Sequence, residues 1–419
     1  MNHFELEGGE LRCEGASLTE IAAQVGTPVY VYSTATLTRH YKAFSEAFKG
    51  RNVLVAYAVK ANSNLSVLRT LAKLGAGADT VSEGEIRRAL AAGVPPERIV
   101  FSGVGKTDAE LEYALEVGVH EINVESEPEL DRLSQVAAGM GKRAAIAIRV
   151  NPDVGAGGHA KIATGKSENK FGVSMSESER LYAKAMNLPG VRPVAVACHI
   201  GSQITDLAPM REAFGKMRDL VLRLRAEGLP VERLDLGGGL GVPYFHQPEP
   251  PTPAEFGKMV EETLQGLDID LAFEPGRLIA ANAGVLLARV IHVHERPEGP
   301  RFLVVDAAMN DLIRPAMYEA YHDIRPVKPR AGEPLDYDVV GPVCETGDTF
   351  ARARPLPPLQ RDDLVAFMSA GAYGAAMSSE YNSRPLVPEV LVDGDRWAVV
   401  RKRPTYEEML AREPMAEWL

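Results

Sequence analysis

N-V-L-V-A-Y-A-V at residues 52–59, followed at once by Lys60, is an apolar run without polar alternation. A strand buried on one face alternates, so a continuous run of this length reads as a parallel strand covered on both sides. Seven more such runs follow, at 78–82, 98–103, 121–125, 144–150, 193–200, 233–237 and 270–274. The segments between them open on S/T-x-x-E capping boxes: Ser82 with Glu85, Thr107 with Glu110, Ser126 with Glu129 and Ser176 with Glu179. In such a box two side chains satisfy the orphan amide donors of a helix start. After Ser82, Ile86, Ala89 and Leu90 form one apolar face, and Gly93 supplies the stop. Eight β-α units between residues 50 and 280 match the size of a (β/α)8 TIM barrel. A doubly wound sheet of that size would usually carry a nucleotide fingerprint.

The flanks differ. Residues 3–13 read as a hairpin around Gly8-Gly9 and 29–33 as a strand, and β character returns at 289–295, 302–306, 337–341, 363–368 and 388–401. The last of these runs holds the turn signal Asp393-Gly394-Asp395. The expected architecture is an α/β barrel over 35–282 plus a C-terminal mainly-β domain, 283–419, completed by the N-terminal segment 1–34.

With 45% apolar residues in 419, intrinsic disorder is excluded. The 46 basic and 57 acidic residues give a net charge of −11 with no basic cluster, which argues against nucleic-acid binding. No segment reaches the roughly 18 apolar residues of a membrane span, and M-N-H-F-E-L-E-G-G-E has acids where a signal peptide needs an apolar stretch. Cys13, Cys198 and Cys344 are far apart and form no C-x-x-C, so neither a disulfide framework nor a zinc finger is expected. A cytoplasmic protein is expected.

Three motifs mislead. Gly103-Val-Gly105-Lys106-Thr107 ends like a P-loop, but Val100 stands where the first glycine belongs. Gly237-Gly238-Gly239-Leu240-Gly241 departs from G-x-G-x-x-G at Val242. His292 and His294 share a strand face without a recognisable third ligand, and no metal is assigned.

Lys60 ends the first strand, at the C-terminal mouth where barrel enzymes do chemistry. Alone it reads equally well as a lysine snorkelling from a strand end, so other motifs decide. Barrel phosphate sites are commonly built by the loops after strands seven and eight, here Gly237-Gly238-Gly239 and Glu274-Pro275-Gly276-Arg277. Successive glycines let backbone amides approach an anion, and a carboxylate beside a pyridine nitrogen holds it protonated. A lysine, a phosphate cradle and a carboxylate together describe pyridoxal phosphate. His199, at the end of strand six, supplies a flat ring that could stack on the cofactor, though alone it would read as a core histidine.

Y-A-V-K-A-N (57–62), H-I-G-S-Q (199–203), G-G-G-L-G (237–241), E-P-G-R (274–277), C-E-T-G-D (344–348) and G-A-Y-G-A-A-M-S-S-E-Y-N-S-R-P (371–385) resemble, in order and over essentially the whole chain, the diaminopimelate decarboxylase family. That family belongs to the alanine-racemase-like, fold-type III pyridoxal-phosphate enzymes and makes L-lysine and CO2 from meso-diaminopimelate. The resemblance implies that Lys60 carries the cofactor, that His199 stacks on its ring and that Glu274 pairs with its pyridine nitrogen. It further implies that Ser202, Gly237, Gly238, Gly239, Pro275, Gly276 and Arg277 surround the cofactor at its phosphate side. Arg277, Arg314, Tyr318, Glu345 and Tyr373 would bind the substrate, with Tyr373 also touching the phosphate. Cys344 would be the proton donor, contributed across a homodimer interface; outside its C-E-T-G-D context it would read as a small buried hydrophobe. Thr346 departs from the serine more common in the family.

An acid beside the pyridine nitrogen favours decarboxylation over racemisation. Arg277 and Arg314 suit a distal substrate carboxylate and Glu345 its ammonium, which penalises ornithine and arginine. A related decarboxylase acting on ornithine, arginine or carboxynorspermidine is the alternative. A single-domain pyridoxal-phosphate-binding protein would lack the β domain, and a regulator without turnover would be expected to have lost Lys60, Cys344 or Glu274. The glycines at 155, 157, 158 and 165 mark 153–170 as a lid or an ordinary flexible loop.

Overall fold

The computed structural model describes residues 2–155, 170–244 and 249–419. Most of the expected lid segment at 153–170 therefore lies outside the described residues. The chain forms two compact units, one built from Thr38–Pro243 with the stretch up to Ile279, the other from the residues up to Leu37, Tyr244 and Ala280–Leu419.

The first unit is a closed parallel barrel. Its strands are β1 (Val53–Ala58), β2 (Gly77–Thr80), β3 (Ile99–Phe101), β4 (Glu121–Val124), β5 (Ala144–Asn151), β6 (Val191–Ala197), β7 (Arg233–Asp235) and β8 (Asp270–Phe273). They pair in sequence order, and β8 closes onto β1 through Leu271↔Val53 and Phe273↔Val55. All eight apolar runs are barrel strands, because each is flanked by a helix that covers its outer face. Three of the four expected caps stand where the sequence puts them: Ser82, Thr107 and Ser126 each accept the amide of the glutamate three residues on. The fourth is corrected. Ser174, not Ser176, caps the helix Met175–Met186, and its reciprocal partner is Glu177 rather than Glu179. Both spacings exist in S-M-S-E-S-E, but chain leaving the short strand Val173–Ser174 can begin its helix one residue later, so the first serine takes the cap.

Outside the barrel, Phe44 and Phe48 pack on Phe256 and Phe273, with ring centroids 4.3–6.0 Å apart. Inside, small side chains dominate: Ala56, Val100 and Ala272 meet Leu54 in one cluster, and Ala147, Ala195 and Ala197 meet Val194 in another. That leaves room for charge. Arg233 on β7 donates to Glu121 on β4 at 2.6 Å. The two strands are not neighbours, so this ion pair crosses the barrel interior.

The second unit is mainly β. Strand Gly284–His294 pairs with Val29–Ser33, Phe302–Val305 and Leu364–Phe367, and Val29–Ser33 pairs in turn with Glu389–Asp393. An N-terminal strand thus lies inside the sheet, which is why both ends of the chain are needed to build it. Val29, Val31, Val285, Leu287, Ala366 and Val390 form its core with Leu18 and Ile21 of the helix Leu18–Val25. The hairpins at Gly8-Gly9 and Asp393-Gly394-Asp395 are present, while strands Ile324–Pro326 and Thr349–Leu356, short or interrupted by arginines and prolines, gave no sequence signal. His294 stacks on Phe302 at 6.4 Å. Among the described residues, no helix is long and apolar enough to cross a membrane.

Burial pushes the Glu121 carboxyl up to about 7, partly offset by Arg233. Arg233→Met should lower stability by about 3–5 kcal/mol near pH 8.5, since it strands a buried charge. A carboxyl whose folded-state affinity for protons is raised contributes stability that is lost as pH rises through about 7. The gap between variant and parent in thermal unfolding should therefore be smaller at pH 5.5 than at pH 8.5; an equal or larger gap at pH 5.5 would contradict this account.

Candidate active site

Every barrel residue expected to carry chemistry lies at the C-terminal mouth. β1 ends in the turn Val59–Ala61, which aims Lys60 at β2, where its Nζ donates to Asp79 Oδ2 at 2.6 Å. The Asp79 side chain is fully buried, whereas that of Lys60 keeps 40% of its surface. The ammonium is thus tethered by a buried carboxylate while much of the lysine side chain stays exposed.

Glu274 follows β8. Its Oε1 accepts from Ser102 Oγ beyond β3 and from Asn123 Nδ2 on β4, each at 3.4 Å, again across the barrel. Burial first, then the charges of Asp235 and Asp79, push its carboxyl well above the usual range, and burial raises Asp235 as well. Three carboxylates therefore converge on one side of Lys60. Among the described residues, Asp79 Oδ1 and Asn123 Oδ1 are buried acceptors without a hydrogen-bond partner, and the Asp235 carboxyl lies against that of Glu274. Such a cluster stabilises a cation or a shared proton.

The His199 ring follows β6. Its Nδ1 accepts from the Gly238 amide at 3.2 Å, which leaves the other ring nitrogen protonated. Burial, then Arg149 and Lys60, push it down to about 3, so the ring is neutral. The glycine run is required by close approach: a Cβ on Gly238 would run into the Glu274 carbonyl oxygen. Gly239 has φ +113° and would place a Cβ 2.5 Å from the Gly201 carbonyl oxygen. Backbone bonds knit the loops together, from Glu274 to Gly237 at 2.8 Å and from Ala58 to Pro275 at 3.2 Å. A Cβ on Gly276 would press on Ala58 and Ala61. Arg277 is buried, and its Nε and Nη2 both donate to Ser202 Oγ at 3.2 Å. Small backbone-lined loops, a guanidinium and a hydroxyl can cradle a phosphate, while the carboxylates suit a protonated ring nitrogen. The residues present fit pyridoxal phosphate.

Sequence reading missed Asp79, Ser102, Asn123, Arg149 and Asp235. Each is a polar residue inside or near the end of an otherwise apolar run, which local pattern alone does not single out. Arg149 is held by Glu125 at 2.8 Å, and Glu125 also accepts from the Gly103 and Gly172 amides.

The other five expected residues lie in the β-rich unit. Arg314, which opens the helix Arg314–Tyr318, is buried, and Tyr318 at the helix end is half-buried. Cys344 is exposed rather than buried. It sits in a loop gathered around the buried carboxylate of Asp348, which accepts from the Val343 and Met309 amides at 2.7 Å. Glu345 accepts from the Tyr381 hydroxyl at 3.0 Å, and Tyr373 adopts a left-handed backbone with φ 56°.

Residues 34–281 match the pyridoxal-binding domain of the pyridoxal-dependent decarboxylases. The chain is 51% identical over 420 residues to the diaminopimelate decarboxylase of Zymomonas mobilis and 51% identical over 415 residues to that of Pseudomonas aeruginosa, in each case across 99% of both chains. Among solved structures, diaminopimelate decarboxylase of Helicobacter pylori complexed with L-lysine superposes with a TM-score of 0.91 at 43% identity, over 94% of this chain and 98% of that one. That of M. jannaschii complexed with L-lysine gives 0.95 at 38% identity, over 99% and 98%. A lysine/ornithine decarboxylase from Vibrio vulnificus gives 0.79 at 26% identity, over 90% and 98%. The chain therefore belongs to the diaminopimelate decarboxylase family of pyridoxal-dependent decarboxylases.

Proposed function

We propose that this chain decarboxylates meso-2,6-diaminopimelate to L-lysine and CO2 with pyridoxal 5′-phosphate, as a cytoplasmic homodimer whose subunits share active sites. The observation that carries the reading is a lysine amine at the barrel mouth, tethered by Asp79 and beside the raised carboxyl of Glu274. The three free thiols suit a reducing compartment.

When bound, the cofactor supplies an electron sink for the pair left at Cα by the departing carboxyl group. Lys60 would hold its aldehyde, and Asp79 would keep the lysine amine in place. Glu274, with Ser102 and Asn123 fixing its oxygen, holds the ring nitrogen protonated; the cation in turn relieves the crowding of Glu274 with Asp235 and Asp79. His199 offers a neutral face for stacking, so it adds no positive charge against the ring. Ser202, Arg277 and the glycines of 237–239 and 276 bind the phosphate, with Tyr373 as a further contact.

Specificity then rests on the far end of the substrate. Its carboxylate suits the guanidinium forks of Arg277 and Arg314, and its ammonium suits Glu345, with Tyr318 and Tyr373 as further proposed substrate contacts. Ornithine and arginine carry no distal carboxylate and would leave these arginines poorly matched. Cys344 delivers a proton to Cα after CO2 leaves, from the neighbouring subunit. Its exposure supports that role, since a thiol serving another subunit must lie at the surface of its own.

Purified protein with added cofactor should release CO2 from meso-diaminopimelate at least about 100-fold faster, in kcat/KM, than from ornithine or arginine. Comparable rates on ornithine would move the chain to the polyamine-forming branch of the family.

Lys60→Ala should abolish covalent fixation of the cofactor by borohydride, and Cys344→Ala should lower kcat by roughly 10²–10⁴-fold with little change in cofactor binding. Mixing the two inactive variants under conditions of subunit exchange should restore part of the activity. Exchange without recovery would refute shared sites.

A further inference from the structure

Arg314 is fixed by an unusual pair of neighbours. The helix it opens ends at Glu319 in a left-handed turn, with the Ala320 amide bonded back to the Arg314 carbonyl, so the chain reverses and returns His322 to the guanidinium. Nη1 of Arg314 lies 2.8 Å from Nε2 of His322, and Nδ1 of His322 lies 2.8 Å from the Met368 carbonyl oxygen. A guanidinium only donates and a carbonyl only accepts, so the partners decide the tautomer: Nδ1 carries the proton and Nε2 the lone pair. The imidazole is neutral and buried, and Tyr244 packs edge-on against it at 5.9 Å. The Arg314 guanidinium also lies over the Tyr244 ring, 5.0 Å from its centroid.

The ring is itself rigidly held. The Met368 amide donates to the Asp323 carbonyl at 2.8 Å, while the Met368 carbonyl accepts from His322 Nδ1, so the pairing of strand Ile324–Pro326 with Leu364–Phe367 continues one step further through a side chain. From the other side, Arg354 donates to the His322 carbonyl at 2.8 Å.

We propose that His322 is a positioning residue that aims Arg314 at the substrate carboxylate without neutralising it. An aspartate or glutamate at that place would orient the guanidinium equally well but consume its charge. An imidazole acceptor and an aromatic face fix its direction without setting a negative charge of their own against it. The inference rests on the reading that Arg314 binds substrate.

Two conservative variants separate positioning from structural support. His322→Asn keeps a donor that can reach the Met368 carbonyl and loses the acceptor at the distance of Nε2; His322→Gln keeps an acceptor at that reach. The KM for meso-diaminopimelate should rise about tenfold or more in His322→Asn, as for loss of one hydrogen bond to a charged group, with kcat within about threefold of the parent. His322→Gln should recover most of the loss, and in an Arg314→Ala background His322→Asn should add nothing to KM. An unchanged KM in His322→Asn, or better function in Asn than in Gln, overturns the proposal, as does an added KM defect in the Arg314→Ala background. An Arg314→Ala variant with the parent's KM removes the substrate role of Arg314 itself, and the proposal with it.

Discussion

The ammonium of Lys60 rests on a carboxylate that water cannot reach. Asp79 is fully buried with the Lys60 Nζ 2.6 Å from one of its oxygens, so the carboxylate gains a charged partner and the half-exposed lysine is restrained at the mouth. Around this pair the barrel gathers further polar groups from two pairs of strands that do not touch each other: Asn123 from β4 with Ser102 from the end of β3, and Asp235 from β7 with Glu274 from the end of β8. Closure of the barrel is what makes them neighbours, since side chains on non-adjacent strands meet only through its interior. The alanines at 56, 147, 195, 197 and 272 are the complement of that polarity; larger side chains would fill the space that the Arg233–Glu121 pair and the carboxylates occupy.

How much of this was legible depended on the range over which the signal acts. The eight strands could be counted because each is a local apolar run, and the helix starts because a cap is a four-residue pattern. Lys60, Glu274 and the glycines at 237–239 were legible because they follow such runs directly and because barrel chemistry gathers at strand ends. Asp79 and Asp235 sit at equivalent places, yet a lone acid in G-A-D-T or L-D-L-G says nothing until β2 and β7 are known to face one lumen. The strands at 324–326 and 349–356 were invisible for a different reason. They are short or studded with arginines and prolines, and only the partner strand supplies their reason to be extended. The cap at Ser174 was misplaced because S-M-S-E-S-E contains two overlapping boxes, and only the preceding strand selects between them.

The same lesson holds for Cys344. The sequence offered a small buried hydrophobe or, by resemblance, a proton donor, and periodicity could not choose, because C-E-T-G-D has no period. The exposure of Cys344 is set by Asp348. With its two oxygens taken by the Val343 and Met309 amides, this buried acid ties the base of the loop and leaves Cys344 and Glu345 exposed at its crest. A structural acid thus sets the placement of an exposed thiol four residues away, a relation visible only once the hydrogen bonds are traced.

The arginines divide by the charge of what holds them. Arg233 and Arg149 are anchored by the carboxylates of Glu121 and Glu125, at 2.6 and 2.8 Å, and their positive charge is used inside the fold. Arg277 is oriented by a serine hydroxyl and Arg314 by a neutral imidazole. A carboxylate anchor stabilises a buried guanidinium; a neutral anchor stabilises it less, but fixes the direction of its fork and leaves its field intact. A fold that buries arginine for its own stability has no reason to choose the weaker partner. A neutral anchor of this kind, at both Arg277 and Arg314, accords with the proposal that these guanidiniums meet an anion carried by a ligand.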